Sequence, residues 1–382
     1  MRIGLMTDMY RPTISGVVNF LVAYKRALED LGEDVYVLTF GDYPDEEERV
    51  IRSPSIPLNK DVGVYLGLDL GSTAKSLCQS MDVLHVHHPF LSGQLALYYG
   101  RKWNIPVVFT SHTRYERYAH YVPLVPESLT RAVLDAYMPR FFNQCDLVIA
   151  PSPSTYRTLS EYGVETRIEM VPNGIDLDLF ASSREELRPE GLGIMPGDLV
   201  LIYVGRMAKE KNVDFLLEAY ALALTEVPNL CLLLLGSGPE YEALQEMSRD
   251  LGVEARLRFM GDVPYEHVPG YLMMADLFVM PSGGEVHPLS ILEAFAAGLP
   301  VVGAQVPGVA DVIADGVNGR LVRHTVSSFS HAIVSLARDP DARARMGREA
   351  SKEGSRNSID RTADRMVELY RELVAGGTSI GA

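Results

Sequence analysis

Short apolar, β-rich runs alternate with segments of helical periodicity along almost the whole chain, and the alternation starts twice. In the first half the runs are Arg2–Thr7, Val35–Phe40, Val83–His87, Val107–Ser111 and Leu147–Ala150. The helical stretch Val17–Leu31 between the first two closes on Gly32, a residue suited to a helix C-cap. Leu199–Val204 restarts the pattern. The helix Val213–Thr225, the strand Leu230–Leu235 and the helix Glu240–Leu251 follow, then strands at Leu257–Phe259, Leu277–Val279 and Pro300–Val302, with a helix Ile291–Ala297 between the last two. Strands that are apolar on both faces and separated by helices belong in a parallel sheet covered on both sides. The chain therefore reads as α/β, with two doubly wound domains.

Length agrees, because 382 residues exceed what one core usually organises. Periodicity is lost over Val171–Gly191, which holds PNGID and a charged run, so the junction is placed there. The expected domains are residues 1–172 and 173–382, with the final helix, Ile359–Ala375, a candidate to pack back on the first. Ligands of open α/β sheets bind outside the carboxyl ends of the strands. Functional residues are expected just after strands of each half, facing a cleft between the domains.

Composition excludes several classes. A net charge of −15, split as −4 over residues 1–170 and −11 over the rest, disfavours nonspecific binding to nucleic acid. Cys78, Cys145 and Cys231 are far apart and odd in number, which suggests neither a zinc site nor a disulfide framework and fits a reducing cytosol. The opening MRIGLMTDMY reads as a first strand and not as a signal peptide, and Leu230–Leu235 is far too short to span a bilayer. Any action at a membrane is expected from its surface.

Four segments carry chemistry. Gly205-Arg206-Met207-Ala208-Lys209-Glu210-Lys211-Asn212 lies between a strand and a helix. Arg206 is suited to grip phosphate oxygens bidentately and Lys211 to add a compact positive charge beside a helix N-terminus. The plainer reading is a solvated loop. Gly236-Ser237-Gly238 is either a nucleotide cradle or a tight turn into a helix at Pro239, since a lone GxG is weak. The stretch from Pro281 to Ala294 is the most specific. Its Gly-rich loop carries Glu285, and its helix carries Glu293 inside an apolar sequence, where an acid usually has a partner. The free N–H groups of Leu289 and Ser290 suit a phosphate, and a carboxylate at Glu293 suits a ribose diol. Lastly, Thr110–Tyr121 follows a strand and places His112 at the sheet's end, although a lone histidine is more often structural. Ser15-Gly16, after the first strand, offers a close backbone approach to phosphate.

Taken together, Ser15-Gly16, the PNGID junction (Pro172–Asp176), Gly205-Arg206 with Lys211, and the E-x7-E pair Glu285 and Glu293 resemble glycosyltransferase family 4, over nearly the whole chain. The resemblance implies the GT-B architecture, two Rossmann-like domains facing a central cleft. It also implies a retaining transfer that needs no cofactor and no metal beyond the nucleotide-sugar co-substrate. Under it Arg206 and Lys211 bind the donor diphosphate, Glu293 the ribose, and Leu289 and Ser290 a phosphate. Glu285 contacts the sugar near its anomeric centre, His112 touches the sugar's hydroxymethyl group, and the backbone of Val263 meets the nucleobase. Gly16 and Gly236 complete the donor-binding set, and the catalytic group is His112, Glu285, Arg206 and Lys211.

The motif H-T-x-Y-E-x-Y-x-H-Y, His112 to Tyr121, is similar to the subset that glucosylates diacylglycerol. It implies that Tyr115, Tyr118, His120 and Tyr121 line the acceptor mouth and that UDP-glucose is the donor. Leu129–Cys145, with Arg131 and Arg140, is then either a helix lying on an anionic membrane or a core-packing one. The implied location is the cytoplasm, peripheral at the inner face of the membrane. The sequence departs from the family at Glu285-Val286-His287-Pro288, where Pro288 replaces a glycine whose N–H reaches the sugar and His287 is the candidate substitute donor. Two other readings stand beside this one: transfer to a soluble sugar or metabolite, and a non-catalytic binder of nucleotide-sugar.

Overall fold

The computed structural model describes residues 1–41, 47–59, 64–66, 69–115, 126–182 and 189–377. It forms two compact units, Met1–Gly174 together with Ile359–Ala382, and Ile175–Ser358. The division falls two residues beyond the expected 172/173 boundary, and the last helix belongs to the first unit.

The first unit holds β1 (Arg2–Met6), β2 (Asp34–Phe40), β3 (Val50–Ser53), the small antiparallel pair β4 (Ile56–Asn59) and β5 (Val64–Leu66), β6 (Val83–Val86), β7 (Val107–Thr110), β8 (Leu147–Ala150) and β9 (Ile168–Met170). Its helices are α1 (Gly16–Asp30), α2 (Ser72–Gln79), α3 (Leu91–Trp103), α4 (Glu127–Phe142) and α5 (Pro153–Glu161). The main sheet runs β3-β2-β1-β6-β7-β8-β9 and every pairing is parallel. Strand β1 sits where the order reverses, its Ile3 paired to Val35 on one side and Val83 on the other. Helix α1 starts on Ser15, whose hydroxyl accepts the Val18 N–H, and buries Val18, Leu21, Tyr24 and Leu28 on one stripe.

The second unit repeats the design. Its helices are α6 (Leu177–Ser182), α7 (Val213–Glu226), α8 (Tyr241–Asp250), α9 (Val268–Met274), α10 (Leu289–Ala296), α11 (Val326–Arg338) and α12 (Pro340–Gly354). The strands are β10 (Leu199–Val204), β11 (Leu230–Leu235), β12 (Leu257–Gly261), β13 (Leu277–Met280), β14 (Val301–Ala304) and β15 (Gly319–Val322). They form a six-stranded parallel sheet in the order β12-β11-β10-β13-β14-β15. The period of two along β10 is visible in the cores. Leu199, Leu201 and Tyr203 face one apolar cluster, while Val200 and Ile202 face another on the opposite side. Both faces are buried, as the uninterrupted apolar runs require.

The chain then returns to the first unit as α13 (Ile359–Gly377). It packs on α1 and inserts Tyr370, whose hydroxyl bonds that of Tyr24 at 2.7 Å and the Nδ1 of His85. No helix among the described residues is long and apolar enough to cross a membrane. All three cysteines are buried and free.

Candidate active site

In the second unit β10 and β13 are neighbours at the point where strand order reverses, the place where open α/β sheets bind ligands. Two loops leave their carboxyl ends side by side. The first, after Val204, carries Gly205 and Arg206, turns through a short 3-10 segment Lys209–Lys211, and enters α7 from Asn212, whose φ of 51° is left-handed. The hydroxyl of Tyr203, still in β10, donates to the Arg206 carbonyl at 3.1 Å and so fixes that turn. The second loop, Pro281 to Pro288, is tied to the first by several contacts, one of them from the Asn212 side chain. The N–H of Gly283 and the hydroxyl of Ser282 both donate to the Glu210 carbonyl, at 3.4 and 3.3 Å. Lys211 Nζ donates to Glu285 Oε1 at 2.7 Å.

That last contact brings together two residues singled out from separate motifs. The ammonium is 21% exposed and the carboxylate 14%. Burial pushes the Glu285 carboxyl up, but the charge and hydrogen bond of Lys211, with help from Ser282, outweigh it and hold it below the ordinary carboxylate range. Glu285 is also held through its own peptide. Gly308 (φ +84°) packs so closely that a Cβ there would lie 2.2 Å from the Glu285 carbonyl oxygen.

Helix α10 begins directly after this loop, two residues earlier than the apolar pattern suggests. Its N-cap position is Pro288, which offers no side-chain cap, and the N–H groups of Leu289 and Ser290 have no hydrogen-bond partner among the described residues. An uncapped helix start is an anion site in waiting. Glu293, 5% exposed, lies one turn further on and accepts a hydrogen bond from Tyr265 at 2.8 Å. Burial raises its carboxyl to about 7, with the Tyr265 bond opposing. Tyr265 was not visible as a site residue, because its contact depends on the turn after β12 folding over α10 and no local pattern marks it. His287 is pushed down to about 4 by burial, against a nearby Asp311, so its ring is neutral at pH 7 and keeps one N–H.

Gly236-Ser237-Gly238 resolves toward the structural reading. Gly236 (φ +124°) would place a Cβ 2.2 Å from the Gly205 carbonyl, and the N–H of Met207 bonds the Ser237 carbonyl at 2.8 Å. These glycines let the turn after β11 press against the Gly205-Arg206 turn. Val263 lies just past β12, half-buried on the same sheet end.

In the first unit the same reversal point, between β1 and β6, collects histidines. Strand β6 runs into His87 and His88, and β7 into Ser111 and His112. His87 Nδ1 and His112 Nε2 are 2.9 Å apart. His85 Nε2 meets the Thr110 hydroxyl at 2.7 Å, and its ring lies 4.2 Å from that of His87. Burial, then the neighbouring His88, pushes His112 down to about 3. His112 is thus one of a group whose other members sequence reasoning left out, although H-V-H-H at a strand end was the available sign. Gly16 is exposed in the first turn of α1. Tyr115 does not stand at a surface: it is 9% exposed, with its ring edge-on to Phe90 at 5.1 Å. Tyr118, His120 and Tyr121 lie outside the described residues. Helix α4 buries Met138, Phe141 and Phe142 in its second half, which is the core-packing alternative, while its first half leaves Leu129 and Val133 more than half exposed.

Comparison with known proteins agrees with this arrangement. Residues 14–179 match the domain described as Glycosyltransferase Family 4, and residues 184–353 the one described as Glycosyl transferases group 1. An alpha-monoglucosyldiacylglycerol synthase of Streptococcus pneumoniae is 33% identical over 84% of this chain and 75% of its own length. One from Acholeplasma laidlawii is 29% identical over 98% of both chains. A D-inositol 3-phosphate glycosyltransferase of Kribbella flavida is 29% identical over 93% of this chain and 90% of its own. Among solved structures, a sucrose-phosphate synthase from Thermosynechococcus elongatus shares the fold with a TM-score of 0.81 at 20% identity, covering 98% of this chain and 99% of that one. Two doubly wound units with this paired-loop site define a glycosyltransferase of the GT-B architecture. The chain belongs to glycosyltransferase family 4.

Proposed function

We propose that the enzyme moves glucose from UDP-glucose to a hydroxyl of diacylglycerol at a membrane surface, with retention of configuration at the anomeric carbon. One observation carries the donor half: the Lys211–Glu285 ion pair lies at the sheet's reversal point, directly before the uncapped start of α10. Arg206, Lys211 and the N–H groups of Leu289 and Ser290 receive the diphosphate, Glu293 the ribose hydroxyls, and Val263 the base. Glu285 faces the sugar, with His287 as the donor that Pro288 cannot be. His112 offers a substrate hydroxyl a hydrogen-bonding ring. The acceptor oxygen bonds the anomeric carbon on the face the diphosphate leaves, and the acceptor's proton departs with the diphosphate. Two side-chain cations and a helix start supply the positive charge this step needs, so the reading calls on no metal. A single preorganised donor of this kind is worth roughly 3 kcal/mol.

The acceptor half is supported by the two synthases named above and by the exposed Leu129 and Val133 on α4. The D-inositol 3-phosphate glycosyltransferases favour a second reading, transfer to a soluble sugar or metabolite. A panel of UDP- and GDP-sugars, offered with diacylglycerol vesicles or soluble acceptors, decides between them. Product from UDP-glucose and diacylglycerol alone is the expected result. The double variant Arg206→Ala, Lys211→Ala is expected to lose transfer while keeping its circular dichroism. Near-normal turnover in that variant sinks the donor assignment.

A further inference from the structure

The histidine pair of the first unit contains an asymmetry. His87 is fully buried, and its Nε2 has no hydrogen-bond partner among the described residues. Its Nδ1 is 2.9 Å from His112 Nε2. A neutral imidazole carries one N–H and one lone pair. Both rings are neutral at pH 7, their basicity lowered first by desolvation and then by neighbouring histidines. One proton therefore lies between them, and only two arrangements exist. If His112 donates from Nε2, then His87 must carry its own proton on the orphaned Nε2, a buried N–H with no acceptor. If His87 donates from Nδ1, only a lone pair is left without a partner. Orphaned buried N–H groups are the rarer of the two in folded proteins. The rings around His87 include those of His85, Phe20 and Tyr24, with centroids 4.2 to 6.4 Å away, and among the described residues none bonds its Nε2.

We propose that His87 is a positioning residue that holds His112 in the tautomer with its proton on Nδ1, so that His112 presents an N–H, and not a lone pair, to a substrate hydroxyl oxygen. His112 is part-exposed, and its Nδ1 makes no hydrogen bond among the described residues. Which ring nitrogen carries the proton is set by the bond the other one makes. The functional half of this inference rests on the reading of His112 as a substrate contact, while the tautomer does not.

The full chain, labelled with 15N-histidine, gives the proton positions directly from long-range 1H–15N correlations, with His87→Phe and His112→Gln used for assignment. The expected spectrum has His112 protonated at Nδ1 and bare at Nε2, and His87 likewise. A proton on His112 Nε2 overturns the proposal whether or not the protein transfers sugar, which separates its failure from that of the transferase reading. His87→Phe keeps a ring and removes the donor. It is expected to release His112 toward the Nε2–H form and to lower kcat/KM for the sugar donor about tenfold, the value of one hydrogen bond. His87→Asn restores an N–H near the Nδ1 position and is expected to return both the tautomer and most of the activity. If His87→Phe changes the tautomer of His112 but not kcat/KM, the positioning role is overturned.

Discussion

Glu293 and Glu285 are both buried acids, yet their environments push them in opposite directions. Glu285 has Lys211 and stays ionised, whereas Glu293 has, among the described residues, only the Tyr265 hydroxyl and rises to about 7. A ribose diol needs the ionised form, which accepts from both hydroxyls. The free enzyme holds Glu293 increasingly protonated as pH falls through about 7, so donor KM should rise on the acid side of that value. Tyr265→Phe removes the bond that favours the carboxylate, so the same limb should move to higher pH. Donor KM measured across pH for both proteins checks this, and a wild-type KM flat between about pH 5.5 and 8.5 contradicts it. Gly308 acts on the other acid. A methyl group there collides with the Glu285 carbonyl at 2.2 Å in a left-handed backbone. Gly308→Ala should displace Glu285 and cost roughly a hundredfold in kcat, as misplacement by an ångström does, with the secondary structure intact. A kcat within about twofold of wild type would show that Glu285 needs no such placement.

At the scale of elements, legibility followed the strength of the local pattern. β8, β10 and β11 have the bounds their apolar runs suggest, because every residue in them except the half-buried Val204 is buried. The strands that escaped notice, β3, β4, β5, β9 and β15, have three or four residues each, and most carry polar ones: β3 reads VIRS, β9 IEM and β15 GRLV. Each lies at a sheet edge, where one neighbour is missing and the hydrophobic demand is weaker. Lys211 and Glu285 could be singled out from their own loops, but their pairing could not, since it needs β10 and β13 adjacent. Helix α4 was ambiguous in sequence because it does two things. Met138, Phe141 and Phe142 anchor one end, and Leu129 and Val133, four residues apart, expose an apolar step at the other. If that step meets lipid, Leu129→Gln with Val133→Gln should reduce co-sedimentation with anionic vesicles severalfold and leave Tm unchanged. Equal binding by the variant would rule those two residues out as a membrane contact and leave α4 with its core-packing role alone.

At the scale of the whole molecule, the first unit is discontinuous in sequence. Helix α13 buries Ile359, Ala363, Met366, Val367, Leu369 and Tyr370, and its Thr362 hydroxyl donates to the Pro172 carbonyl at 3.0 Å. At about 1.5–3 kcal/mol for each large apolar side chain, that face contributes on the order of 10 kcal/mol. A domain's net stability is about 5–15 kcal/mol. A chain ending at Ser358 should therefore lose the first unit, with residues 1–174 cut rapidly by protease while 175–358 remain protected. A truncated chain in which residues 1–174 resist protease like the full one would show that α13 is dispensable.

Because Tyr370 docks between Tyr24 and His85, the unit that begins before Ile175–Ser358 in the chain is finished after it. Its sheet emerges early, but the surface on α1 that receives α13 stays uncovered until Ile175–Ser358 has been made. At about 5–20 residues per second that interval is roughly 10–40 s. During it Tyr24 and the apolar side chains around it form a docking face without an occupant, the kind of surface that chaperones engage. The order of synthesis thus leaves the nascent first unit with an uncovered apolar face until α13 has been made.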